Sequence, residues 1–177
     1  MSETDRRARF EQLALPLLDD AMHLAVWLAA SRTDAEDIVQ EAMLRAYKYF
    51  DRFTGAAFRP WLLAIVRNTA MTWLKRNRST KLVLVPEPSA EQRLDADVEL
   101  AESPESALLQ RDRAAEVNRA VAALPDEFRE VIVLRELHDL SYKEIAAVID
   151  VPIGTVMSRL SRARRLLMDA LPEERTA

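Results

Sequence analysis

Cysteine is absent from the chain, and glycine occurs only twice in 177 residues. The first absence excludes a disulfide framework and thiolate metal sites, and it suits a reducing compartment. The scarcity of glycine, with nearly half of the residues hydrophobic and 31% charged, points to a soluble helical protein. No hydrophobic run is long: the most apolar stretch, "AMHLAVWLAA", reaches about half the length of a membrane span. The N-terminus "MSETDRRARFEQ" is too polar for a signal peptide, so the chain is expected in the cytoplasm without membrane insertion. Nor is there a phosphate loop, a cofactor motif or a nucleophile–base–acid set, so neither an enzyme nor a cofactor is expected. "DAMH" at 20–23 has a carboxylate-x-x-His spacing, but a di-metal bundle needs two such motifs and His138 lies in "RELHDL" without one. His23 and His138 read as structural or surface residues.

What is present is charge, unevenly spread. The net charge of −4 argues against a free-standing nucleic-acid binder. Its distribution argues otherwise. From Thr54 to Pro86 no acid occurs while Arg59, Arg67, Lys75, Arg76, Arg78 and Lys81 accumulate. From Glu87 to Asp112 acids dominate, and from Val151 to Met168 the chain is basic again. Two basic segments are thus separated by an acidic one.

The periodicity predicts an all-α chain. A first helix enters through Pro16 and runs past Trp27. "TDAE" at 33–36 reads as a capping box with Thr33 as N-cap, predicting a helix from Asp34 to about Phe50 with Ile38, Val39, Ala42, Met43, Ala46 and Phe50 as its apolar stripe. "DRFTGAAFRP" interrupts, and "WLLAIVRNTAMTWLKRNR" forms a third, increasingly basic helix. Residues 79–104 have linker composition, with "KLVLV" as a candidate short strand. "SPES" restarts a helix with Ser103 as N-cap; a Pro-initiated helix over "LPDEFREVIVLRELHDL" and a second capping box, "SYKE" at 141–144, follow. The divisions expected are one helical domain over 1–80, an acidic flexible linker over 81–104 and a second helical domain over 105–177.

The helix from Ser141 ends near Asp150, and "VPIG" leads tightly into another starting near Gly154. Helix, short turn, helix is the layout whose second helix enters the DNA major groove. Ile153, Val156, Leu160, Ala163 and Leu167 are expected to face inward. Thr155, Ser158, Arg159, Arg162 and Arg165 then face outward, with Met157, Ser161 and Arg164 on one flank and no acid among them. A solvated helix ordinarily mixes signs to form i,i+4 pairs. Arginine binds phosphate or the O6 and N7 of guanine, and small Thr and Ser let the backbone approach. The competing explanation is a bundle helix whose C-terminal cations complement its dipole.

"LPDEFREVIVLRELHDLSYKEIAAVIDVPIGTVMSRLSRARRLL" resembles region four of bacterial extracytoplasmic-function (ECF) sigma factors, and "DAEDIVQEAMLRAYKYFDRF" with "FRPWLLAIVRNTAMTWLKRNR" resembles their region two. The resemblance implies a transcription initiation factor that binds core RNA polymerase, directs it to −10 and −35 promoter elements and assists melting. It implies docking of region two on the clamp helices of the polymerase β′ subunit through Asp37, Gln40, Glu41 and Arg45, and of region four on the β flap. Phe53, Gly55, Ala56 and Phe58 would shape a pocket for a flipped −10 base, Asn68 would read its edge, and Arg59, Arg67, Lys75 and Arg76 would hold phosphates of the single strand. Trp61, spaced with Ile65, reads as a core anchor instead; Trp73 stays open between core and groove. Thr155, Met157, Ser158, Ser161 and Arg162 map onto the −35 contact positions, with Arg159 and Arg165 on phosphate. Met157 stands where the family commonly has Lys or Arg and cannot make a charge-assisted bond. An anti-sigma protein and a stress-responsive role are implied too, and the linker acids are either a nucleic-acid mimic or a solvated tether.

A conventional helix-turn-helix regulator accounts for residues 125–170 alone and leaves the basic, aromatic helix at 58–78 unexplained. A pure interaction module, binding a partner without DNA, is met in part by the anti-sigma protein that the resemblance implies. "LPEERTA" after the recognition helix leaves no room for an added C-terminal sensor domain.

Overall fold

The structure is a computed structural model of the chain and describes residues 2–29, 31–55, 57–78 and 104–171. Helices without strands make up the described residues: α1 (Glu3–Ala14), α2 (Leu18–Ala29), α3 (Arg32–Tyr49), α4 (Phe58–Arg78), α5 (Pro104–Ala123), α6 (Asp126–Ile132), α7 (Tyr142–Ile149) and α8 (Ile153–Ala170). "KLVLV", Ser103 and Ala56 lie outside them.

Helix α1 escapes the periodicity reading because only Phe10 and Ala14 along it are buried, too few to make a stripe. Its start is nevertheless written as a capping box: the Asp5 N–H donates to the Ser2 hydroxyl at 3.1 Å, and the Ser2 N–H donates to the Asp5 carboxylate at 3.2 Å. Pro16 sits in a 3₁₀ turn, Leu15–Leu17, that joins α1 to α2. The cap of α3 falls two residues before the expected one. Ser31, not Thr33, is the N-cap, its hydroxyl accepting from the Asp34 N–H at 3.3 Å. Both residues suit the role chemically, and Ser31 has the extended backbone that it requires. The expected stripe of α3 faces inward, with Ile38, Val39, Ala42, Ala46 and Phe50 buried. Pro60 falls in the first turn of α4, where a missing N–H leaves no bond unmade.

In the C-terminal half, α6 runs without a break into a π-helical turn, Val133–Leu137, which ends at Asp139 in the left-handed region (φ 50°). The Ser141–Glu144 capping box forms as expected and starts α7. Asp150 caps the end of α7 with φ 56°, and Pro152 is the N-cap of α8. An L-residue with positive φ is tolerated best as Gly, Asn or Asp, and this Asp is what turns the chain so tightly. Ile153, expected inside, is 49% exposed. As the first residue of α8 it lies before the stripe of Val156, Leu160 and Ala163, all buried, has a full turn to build on.

The two halves pack on each other. α4 lies against α7, and the π-helical turn lies against α2. One buried cluster crosses this seam, taking Leu24, Trp27 and Val66 from the first half and Leu134, Ile145 and Leu160 from the second. A second, smaller cluster around Phe10, Phe50, Phe58 and Leu62 anchors α1. Helices joined by an acidic linker were expected from the sequence; a shared interior between them was not.

Candidate nucleic-acid and polymerase surfaces

The helix-turn-helix is α7, the turn at Asp150–Pro152, and α8. Val156, Leu160 and Ala163 hold α8 onto the core. Met157, Ser158, Ser161, Arg162, Arg164 and Arg165 are exposed on the other side, while Thr155 and Arg159 are half-buried at its edge. Two of the arginines are not free. Arg164 pairs with Glu136 at 3.0 Å, and Arg159 approaches Glu127 at 3.6 Å, so acids reach these two from α6 and the turn after it, the one acid of α8 itself being Asp169 in its last turn. Arg162 and Arg165 have no carboxylate partner among the described residues. They are therefore the two cations that α8 offers outward at no competing cost. Met157, 54% exposed, and Met168, 76% exposed, flank a shallow hollow with Tyr142, Ser161 and Arg165. Met157 thus stands on the outward face as an exposed apolar side chain. Gly154, at the exposed start of α8, meets nothing within 4 Å where a Cβ would stand. Packing does not require a glycine there, and the sequence reading passed over it.

The expected −10 surface is built differently from its outline. Phe58 is buried against Phe10, Phe50, Phe53 and Trp61, with ring centroids 5.2–6.3 Å apart. It supports the loop from below and is not positioned to touch a base. Phe53 and Trp61 are half-buried at the rim of the same cluster, 5.2 Å apart, while Gly55 is exposed with Phe53 3.4 Å from its Cβ position. Trp61 is the anchor its spacing suggests. Trp73 packs against the main core with its indole N–H buried and unpartnered. Asn68 and Lys75 are exposed along α4, as is Arg76, and Asn68 accepts a long 3.4 Å hydrogen bond from Arg67.

Arg59 and Arg67 face the second half of the chain. Arg67 makes a bidentate pair with Glu130 of α6, at 2.8 and 3.1 Å, and Glu130 is only 3% exposed. Arg59 pairs with Asp20 of α2 at 2.6 Å and donates to the His138 carbonyl at 2.6 Å. His138 is fully buried beside them, 3.9 Å from Asp20 and edge-on to His23. Neither of its ring nitrogens has a hydrogen-bond partner. Burial, with smaller contributions from the charges of Arg59 and His23, overrides the opposing pull of Asp20 and pushes its pKa down to about 4. His138 is thus a neutral structural residue at the seam.

On α3, Asp37 and Gln40 are exposed, and Glu41 pairs with Arg45 one turn on. Leu44, 66% exposed, completes this i, i+3, i+4, i+7 row. The sequence reading missed it, although an apolar residue beside rather than on the buried stripe was there to be read.

A helix-turn-helix whose second helix carries no acid before its last turn, and another helix that is basic and flanked by aromatics, define a helical DNA-binding protein. Residues 13–80 match sigma-70 region 2, and residues 114–167 match sigma-70, region 4. The chain is 35% identical over 170 residues to the RNA polymerase sigma-H factor of Pseudomonas aeruginosa, covering 94% of this chain and 88% of that one. It is 38% identical over 139 residues to the ECF RNA polymerase sigma-E factor of Escherichia coli K12, covering 76% and 72%. Among solved structures it is similar to the sigma factor RpoE in complex with the anti-sigma factor NepR from Bartonella quintana (TM-score 0.73, 27% identity, 94% and 99% covered). It is also similar to CnrH in complex with the cytosolic domain of CnrY (TM-score 0.63, 25% identity, 92% and 87% covered). The chain belongs to the ECF sigma factors, the initiation factors through which bacterial RNA polymerase finds promoter DNA. Among the described residues no helix is long and apolar enough to cross a membrane.

Proposed function

We propose that this sigma factor works through three separate surfaces in two domains, α1–α4 and α5–α8. The α3 row of Asp37, Gln40, Glu41 and Arg45, with Leu44, docks on the β′ clamp helices of core polymerase, and the second domain docks on the β flap. The loop with Phe53, Gly55 and Ala56, together with Asn68, Lys75 and Arg76 on α4, holds the melted −10 strand. The outer face of α8 reads the −35 duplex, with Met157, Ser158, Ser161 and Arg162 on bases and Thr155 and Arg165 at the edge. Catalysis of RNA synthesis is the polymerase's own, the site of action is the cytoplasm, and an anti-sigma protein restrains the factor, as the anti-sigma factor NepR accompanies the similar sigma factor RpoE.

The observation that carries this reading is the exposure of Arg162 and Arg165 without carboxylate partners among the described residues, on a helix that carries no acid before Asp169 in its last turn. An ordinary solvated face would hold its arginines in pairs. Run-off transcription with core polymerase on a genomic fragment library, with and without the protein, tests it. Protein-dependent start sites sharing two spaced upstream motifs are expected. Tight binding to duplex promoter without polymerase, and no new transcripts, would replace the reading with that of a conventional repressor.

A further inference from the structure

We propose that Met157, with Ile153 one turn before it, reads the −35 duplex by the 5-methyl group of thymine, so that the N-terminal end of α8 selects an A·T pair rather than a guanine. The inference rests on the sigma reading above and deepens it, naming the base feature that this stretch of α8 recognises.

The N-terminal end of α8 lacks the chemistry that reads guanine. A recognition helix meets base edges chiefly through its N-terminal residues. From Ile153 to Ser161 the one cation is Arg159, which is half-buried and stands 3.6 Å from Glu127. Ser158 gives its hydroxyl proton to the Thr155 carbonyl at 3.0 Å. No guanidinium or ammonium is therefore free in this stretch to take the O6 and N7 of guanine, the contact that most often picks out a G·C pair. The exposed cations of the outward face, Arg162 and Arg165, come later along the helix.

Apolar side chains stand there instead. Ile153 and Met157, at i and i+4, are adjacent on the helix surface and are 49% and 54% exposed. Their neighbours toward the outward side, Gly154, Ser158 and Ser161, are small, and nothing lies within 4 Å of where a Gly154 Cβ would be. Met157 is thus the longest side chain with open space around it at this end of α8. Exposed apolar surface gains by meeting apolar surface, not by meeting donors and acceptors. The base edges of the major groove present donors, acceptors and one apolar group, the methyl of thymine. The surroundings favour DNA over a protein as the occupant. Arg162 and Arg165, exposed beside this apolar pair without carboxylate partners among the described residues, suit a surface edged with phosphates.

The test is a methyl scan with the holoenzyme. On a promoter found by run-off mapping, each thymine of the −35 element is replaced in turn by deoxyuridine, which keeps the base pair and removes only the methyl. Wild-type holoenzyme is expected to bind one such template, or two altered at neighbouring steps, about fourfold more weakly, the worth of burying one methyl group. Met157→Ala changes an exposed position, so the fold is expected to stand. Its holoenzyme is expected to bind the thymine template about as weakly as the wild type binds the uracil one, and to bind both alike. Competition for core polymerase is expected to be equal for the two proteins. A −35 element without thymine on either strand, a wild type insensitive to uracil at every position, or a Met157→Ala chain that keeps the uracil penalty would each overturn the inference. So would a Met157→Ala chain that loses polymerase binding with its promoter preference unchanged, which would make the apolar pair a protein-docking surface. All four outcomes leave the sigma reading intact, whereas a chain that yields no polymerase-dependent transcript removes that reading and this inference together.

Discussion

Asn68 is exposed on α4, and its side-chain oxygen accepts only a long bond from its neighbour Arg67. Its amide is thus available to an unpaired base, and no core contact depends on it. Asn68→Ala is expected to slow open-complex formation by about tenfold, the worth of one hydrogen bond of about 1 kcal/mol or slightly more, without weakening polymerase binding. Permanganate footprinting of the melted region measures the first, and competition for core polymerase the second; equal melting by both proteins removes Asn68 from the site. Arg162 carries no such intramolecular bond either. Arg162→Ala is expected to lose roughly 1–3 kcal/mol on the −35 sequence and much less on altered ones, provided it reads a base. Uniform loss across sequences reassigns it to phosphate. Asp150 has a different task, because its positive φ makes the turn between α7 and α8. A β-branched residue there is expected to destabilise the fold by about 1–2 kcal/mol, while Asp150→Gly is neutral or stabilising. Thermal melts of Asp150→Val and Asp150→Gly separate the two, and equal midpoints would mean that the turn relaxes.

Among the elements, legibility followed the strength of the local signal. α7 and α8 were read closely because a capping box, a Pro and a clean stripe all agree there, and Ser141–Glu144 with Val156, Leu160 and Ala163 behave as written. α1 was missed because its cap is present but its apolar residues are sparse, and Phe10 buries itself only by meeting Phe50 and Phe58 from distant helices. Phe58 reads in sequence only as an aromatic at a loop–helix junction that helps to shape a pocket, and its burial beneath Phe53 and Trp61 shows only once its ring partners are known. Arg59 and Arg67 gave no hint in sequence of the carboxylates they meet, since Glu130 is 63 residues from Arg67. Local chemistry was visible, and long-range pairing was not. Gly154 joins both kinds of information, being readable as a helix-disfavouring residue and, in the structure, needed by no neighbour. Gly154→Ala is expected to stabilise the chain by up to about 1 kcal/mol. If the start of α8 approaches the DNA backbone closely, the same change weakens −35 binding. A chemical denaturation series beside a promoter titration checks both arms, and a variant gaining stability with unchanged binding places Gly154 away from the DNA.

At the scale of the molecule, the seam makes the folded chain sensitive to acid through His138. The groups facing that ring are Asp20 and His23 from α2 and Arg59 from α4. Buried without a partner for either nitrogen, the imidazole stays neutral down to about pH 4, whereas an exposed histidine takes up its proton near pH 6.5. Between these values the unfolded chain binds a proton that the folded chain does not. Stability of the folded chain therefore falls as the pH drops from 6.5 toward 4, by about 2 kcal/mol at pH 5 and about 3 kcal/mol in full. The direction is opposite to that of a histidine held by a salt bridge, whose contribution would grow in acid. His138→Leu removes the titrating group and leaves no polar atom unsatisfied, so its stability should change less over this window than that of the wild type. The carboxylates of the chain titrate in both proteins, and the difference between them isolates the histidine. Urea denaturation at pH 7 and pH 5 gives that difference directly, and energy transfer between dyes on the two halves tells whether the loss at pH 5 appears first as parting of the seam or as unfolding of the helices. A wild type and a His138→Leu chain that lose the same stability on acidification would mean that His138 is hydrated in solution, and that the contact between the halves is looser than the buried cluster requires.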